Sequence, residues 1–208
     1  MLGWTEVGWF ALTALVLVLT PGPNMIYCVS RTLVQGRRAG LLSLAGVLLG
    51  FVAHLLAAAL GLTALLAAVP LAFDAIRIAG AAYLLWLAWD SVRGTSPFAP
   101  KALPHDGPGR LFRMGLLTNL LNPKVAMFYL SFFPQFLHPE RGNVLLQALQ
   151  LGLVQIAVSG TVNALLVLGA ERISRFLASS RRWLAAQRYL MATVLGAMAA
   201  RLFLMEQK

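Results

Sequence analysis

Long apolar runs separated by short basic stretches constrain this chain more than any other feature. Arg31, Arg37 and Arg38 form one basic stretch. Arg93, Lys101, Arg110 and Arg113 form a second, and Arg172, Arg175, Arg181, Arg182 and Arg188 a third. The sequence between them is largely apolar. Charged residues make up 12% of the chain and hydrophobic residues 59%, where a soluble domain has about 25% and about 45–50%. So little charge cannot coat a water-facing surface, so the chain is expected to be an all-α integral membrane protein. The net charge of +10 would suit a nucleic-acid partner. Its confinement to the connections is instead the positive-inside pattern, which argues for a lipid bilayer and against nucleic acid. The single cysteine, Cys28, allows no intrachain disulfide and reads as a small packing residue.

A crossing takes about 20 mainly apolar residues. Segments 5–28, 40–68, 70–93, 111–136, 145–169 and 184–205 meet that need, giving about six transmembrane helices. Five spans with one re-entrant segment are the alternative. The first run is expected to be retained, because nothing basic precedes it and Glu6 sits where a signal peptide carries positive charge. The basic stretches follow the first, third and fifth spans, so they share one side, expected to be the cytoplasm. Residues 94–110 are rich in proline and glycine and read as a cytoplasmic linker. They separate a three-helix repeat over 1–93 from a second over 111–208, within one membrane domain. Three is odd, so the two repeats are expected to be inverted. Trp4, Trp9, Trp86 and Trp89 fit interfacial aromatic belts.

Each half opens on an interrupted span. The first contains Thr20-Pro21-Gly22-Pro23-Asn24, the second Thr118-Asn119-Leu120-Leu121-Asn122-Pro123-Lys124. Proline removes a backbone donor and clashes with the preceding turn. Backbone groups freed inside hydrocarbon cost several kcal/mol each, so a break survives only within protein or along a wet cavity. The freed ends can then serve a solute: N-terminal ends attract carboxylates, and carbonyls attract ammonium groups or cations. Paired breaks in inverted repeats point to a transporter's site at the bilayer midplane. Pro21, Pro23 and Pro123 are therefore the expected breaks, and Thr20, Gly22, Asn24, Asn119, Asn122 and Lys124 the expected substrate pathway. The asparagines donate and accept hydrogen bonds, which suits a zwitterion. Lys124 either pairs with a substrate carboxylate or snorkels to the interface; its mostly apolar neighbours, Val125 to Phe133, favour the buried role.

Asp74 and Arg77 are one helical turn apart and can pair, with proton coupling by Asp74 as the lesser reading. His54, inside the second span, reads first as a packed, hydrogen-bonded residue and second as a proton relay. Asn163 and Thr161 read as helix-to-helix hydrogen-bonding residues, with a cavity role as the alternative. Gly46 and Gly50 form a small-xxx-small face suited to close helix packing.

At these residues the chain resembles the LysE/RhtB family of bacterial amino-acid exporters. Thr20 to Asn24 is similar to the family's first-span signature, and Gly36 to His54 to its basic turn and glycine-rich second span. Gly80 to Trp89 resembles the third-span pattern, and Asn119 to Phe136 the fourth-span signature. The resemblance implies a secondary transporter of the bacterial inner (plasma) membrane. It would export small amino acids or derivatives from the cytoplasm, driven by protons or the membrane potential. A neutral substrate such as threonine, homoserine or a homoserine lactone is expected, because the breaks carry Asn and Lys rather than carboxylates. The expected partners are this small-molecule substrate, protons and the bilayer; no cofactor or metal is expected, and a homo-oligomer is compatible with the sequence. An uptake carrier or a channel for a small zwitterion is the alternative function. An enzyme is not expected: the three histidines are far apart, and neither H-E-x-x-H nor G-x-S-x-G occurs.

Overall fold

The computed structural model describes residues 2–68 and 105–179 throughout, with single helical positions between 78 and 93 and between 189 and 200. Asp74, Arg77 and most of the expected third and sixth spans lie outside the described residues. The elements are α1 (Trp4–Leu19), α2 (Pro23–Gln35), α3 (Arg37–Ala68), α4 (Pro108–Leu120), α5 (Pro123–Met127) and α6 (Val144–Ser179). A π turn over Phe128–Phe132 and a 3-10 turn over Phe133–Phe136 continue α5, and a short 3-10 turn, Pro139–Arg141, precedes α6. All secondary structure among the described residues is helical.

Two stretches, Arg37–Gly61 and Val144–Ala170, are long and apolar enough to cross a membrane as single helices. Each exceeds the roughly 20 residues that about 30 Å of hydrocarbon requires. α1 and α2 pass the same test together, bent by 54° at their break, as a broken span or a re-entrant loop would be. This helical pair runs on past the end of the expected first span, 5–28. α2 runs on to Gln35, and Arg31 lies within it rather than in a solvated connection. The physical reason is a counter-charge described below. The fourth segment also starts earlier than expected, because Pro108 is well placed as the first residue of α4, where its missing N–H costs nothing.

α3 is the central helix and packs chiefly on α4, then on α6 and α2. The α3–α4 contact depends on absent side chains. A Cβ on Gly46 would collide with the main-chain carbonyl of Phe112, and a Cβ on Gly115 with that of Ser43. The two main chains thus touch directly, as the glycine spacing in α3 suggests. Gly50, one turn on, faces the Asn119 side chain in the same way. Gly36, with φ +84°, adopts a conformation that L side chains rarely reach; it ends α2 and lets α3 turn back.

The aromatic core lies where α1 meets the irregular turns after α5. The Phe10 ring stands edge-on to Phe133 and Phe136 at centroid distances of 5.7 and 5.1 Å. At the α1 N-terminal end, Arg141 pairs with Glu6, and the Gln147 side chain bonds both the N–H and the carbonyl of His138. The Glu140 carboxyl, hydrogen-bonded to its own backbone and to His138, is held below the usual carboxylate range.

The other end is closed by a buried ion pair. Arg31 Nη2 lies 2.7 Å from Asp106 Oδ2, with the two side chains 8% and 2% exposed. Arg110 adds a second, more exposed contact to the same carboxylate at 3.2 Å. The Gln35 amide donates to the Asp106 carbonyl at 2.9 Å and accepts from its N–H at 3.1 Å. Tyr27 donates to the Leu111 carbonyl at 3.1 Å. The last residues of the expected linker are thus fixed to α2.

Candidate functional site

In an uninterrupted helix the Leu17 carbonyl would accept from the amide of residue 21. Residue 21 is proline and has no N–H. α1 therefore ends at Leu19, Gly22 is extended, and Pro23 starts α2 at the position where proline is best tolerated. The second break follows the same logic. α4 stops at Leu120, and the Asn122 side chain caps α5 by accepting from the Lys124 amide at 3.1 Å, with Pro123 as the first helical residue.

The two breaks meet. Lys124 Nζ donates to the Thr20 carbonyl at 2.6 Å and to the Leu17 carbonyl at 3.2 Å. The ammonium thus replaces the donor that Pro21 lacks, and it sits at the negative end of the α1 dipole. The freed carbonyls, expected to serve a solute, are engaged by this lysine. Gly22 makes room for it, since a Cβ there would lie 2.8 Å from Nζ and 3.0 Å from Cε.

Around this contact lies a cavity whose empty space, counting its open mouth, is about 330 Å³. Gly22 and Asn24 line it from the first break, Asn122 and Lys124 from the second, and Gln155, Ser159 and Asn163 from α6. Leu17, Val18, Met25, Phe51 and Val125 give it apolar walls. No Asp or Glu lines it among the described residues. Asn24 Oδ1, Asn122 Nδ2 and Asn163 Oδ1 are buried and have no hydrogen-bond partner among the described residues.

Thr20, Asn119 and His54 lie beside the cavity rather than on its wall. The Thr20 hydroxyl is used within α1, donating to the Val16 carbonyl at 2.9 Å. Asn119 is fully buried against Gly50, with neither side-chain polar atom hydrogen-bonded among the described residues. His54 stacks on Tyr129 at 5.7 Å, and its Nε2 lies 3.3 Å from the Asn119 carbonyl. Asn163 is on the wall, and among the described residues it bridges no helices: its amide donates to the Ser159 carbonyl of α6 itself at 2.8 Å. Thr161 is exposed.

Residues 15–206 match the model of the LysE type translocator family. The chain belongs to that family. It is 34% identical over 172 residues to the homoserine/homoserine lactone efflux protein of Salmonella typhimurium (strain LT2), covering 81% of this chain and 83% of the relative. It is 30% identical over 184 residues to the leucine efflux protein of Enterobacter sp. (strain 638), covering 86% and 84%. An uncharacterized membrane protein of Vibrio cholerae is 34% identical over 175 residues, covering 82% and 83%. No solved structure matches the chain.

Sequence reasoning missed three parts of this LysE type translocator. Gln155 and Ser159 were visible only through their spacing with Asn163, four residues apart on one helix face. Asp106 resembled any polar linker residue. The lysine's acceptors are main-chain carbonyls, which carry no side-chain signature.

Proposed function

We propose that this translocator exports small neutral amino acids or close derivatives, homoserine and its lactone among them, from the cytoplasm. The charge inventory of the cavity carries the reading: one lysine, three asparagines, a glutamine and a serine line it, with no carboxylate among the described residues. A zwitterion suits such a wall. Its carboxylate offers the Lys124 ammonium a full charge in place of carbonyl dipoles, and the amides complete its hydrogen bonding. A basic amino acid would bring an excess positive charge with no carboxylate among the described residues to balance it. The names of the Salmonella and Enterobacter relatives agree with this class.

In this reading the chain crosses a bacterial inner membrane six times as two inverted three-helix units, with the basic connections cytoplasmic. Pro21, Pro23 and Pro123 break the two opening helices, and Thr20 and Asn119 support the cavity from behind. Proton antiport drives export, with Asp74, Arg77 and His54 as the candidate coupling residues and a structural Asp74–Arg77 pair as the first reading of Asp74. Metabolite profiling of the medium from cells with and without the gene tests direction and substrate together. Selective accumulation of neutral amino acids outside is expected. Unchanged medium, or accumulation of basic amino acids alone, refutes the proposal. Asp74→Asn is expected to flatten the pH dependence of efflux, and an unchanged pH profile removes Asp74 from coupling.

A further inference from the structure

The buried face of α6 runs Leu151, Gln155, Ser159, Asn163, Val167, one residue every four. Its three polar members occupy about 12 Å of helix at 1.5 Å per residue, between apolar flanks, and lie near the middle of the stretch Val144–Ala170. Polar groups at that depth are expensive, and apolar residues would close the same face at lower cost. A function is therefore the better account of them.

The hydrogen bonds along this face run in one direction. The Tyr129 hydroxyl donates to Gln155 Oε1 at 2.7 Å, and Gln155 Nε2 donates to Ser159 Oγ at 2.9 Å. Among the described residues Ser159 is the last member, so its own hydroxyl proton is left to donate. Asn163 spends its amide N–H on the Ser159 carbonyl, which fixes the side chain and leaves Oδ1 without a partner among the described residues. Across the cavity Asn24 Oδ1 is in the same state. The wall thus carries two buried acceptors contributed by α2 and α6, and one directed donor between them and Tyr129. Lys124 and Asn122 Nδ2 supply donors from the second break.

From this arrangement we infer that α6 holds the specificity-determining residues of the transporter. Asn163 and Asn24 accept the substrate's α-ammonium group, which has donors only. Ser159, oriented by Gln155 and Tyr129, donates to an oxygen on the substrate side chain. The carboxylate is left to Lys124 and Asn122. The preferred substrate is accordingly a neutral amino acid with an oxygen in its side chain, over an isosteric apolar one. This rests on the cavity being the substrate site.

The test uses the full-length protein in proteoliposomes and compares transport of L-threonine and L-valine, which differ by a hydroxyl in place of a methyl. One hydrogen bond of this kind corresponds to about a tenfold preference for threonine in the parent. Ser159→Ala is expected to lower threonine transport relative to valine and so to abolish that preference. Asn163→Leu is expected to raise KM for both substrates by about tenfold or more and to leave their ratio unchanged. If Asn163→Leu fails to insert, the small Ser159→Ala change still decides the side-chain role. Parental KM values and an unchanged ratio in both variants would show a ladder that only holds helices together, overturning this inference and sparing the proposed export function. A parent that moves neither amino acid would overturn both.

Discussion

Asp106→Ala offers the sharpest test of what holds the fold together. The carboxylate lies 2.7 Å from Arg31, with side chains only 2% and 8% exposed. Both charges are withdrawn from solvent, so their desolvation is offset by each other. Removing one partner of a buried pair costs about 3–5 kcal/mol, because the other loses its compensation. The Arg110 contact contributes little here, since that side chain is 62% exposed and such pairs are worth about 0–1 kcal/mol. The main-chain bonds between Asp106 and Gln35 survive the substitution and hold the value within that range. Replacing both partners together, Arg31→Met with Asp106→Leu, is expected to recover most of the loss, as matched apolar residues commonly do. Unfolding of the purified protein in mixed micelles by increasing denaturing detergent, followed by tryptophan fluorescence, gives the free energies. A single variant within about 0.5 kcal/mol of the parent, the range of ordinary surface changes, would refute the reasoning. A double variant as unstable as the single one would refute the compensation argument.

Further outcomes follow from the site and the packing. Lys124→Met is expected to lower efflux at least about tenfold, since it removes the bonds to the Leu17 and Thr20 carbonyls and the one cation on the cavity wall among the described residues; parental efflux at equal membrane abundance would remove Lys124 from the pathway. Gly22→Ala is expected to act in the same direction by displacing the ammonium, and to become neutral in the Lys124→Met background; additive losses in the double variant would refute that link. Gly46→Leu and Gly115→Leu are expected to destabilise by more than about 3 kcal/mol in the micelle assay, because main chain rather than a flexible side chain stands in the way. Cysteines introduced at Arg37 and Arg181 are expected to react with an impermeant reagent from the same side; labelling from opposite sides would end the six-span arrangement.

The breaks were legible in the sequence because proline and glycine act on their own backbone, whatever surrounds them. Pro21, Gly22, Pro23 and Pro123 announce the interruptions, while the cap made by Asn122 was not read from the sequence. The close packing at Gly46 was legible for the same reason. What depended on distant partners was not. Arg31 looked like loop charge because its counter-ion is 75 residues away, an arithmetic of 106 − 31 that spacing alone does not reveal. Lys124 was readable as a lysine at the second break, but its acceptors, the Leu17 and Thr20 carbonyls, were hidden in the main chain of the first. Asn163 read as a bridge to another helix, although its amide finds a carbonyl on its own. The π and 3-10 turns between Phe128 and Phe136 left no mark, because an aromatic run has no period that distinguishes them from α-helix.

The touching main chains of α3 and α4 limit how this protein can move. Helices separated by side chains can slip past one another by small rotamer adjustments. These two have no such cushion at Gly46 and Gly115, so they form one stiff beam. Any widening of the cavity is therefore expected to pivot elsewhere, at the breaks between α1 and α2 and between α4 and α5, with the beam as the fixed frame.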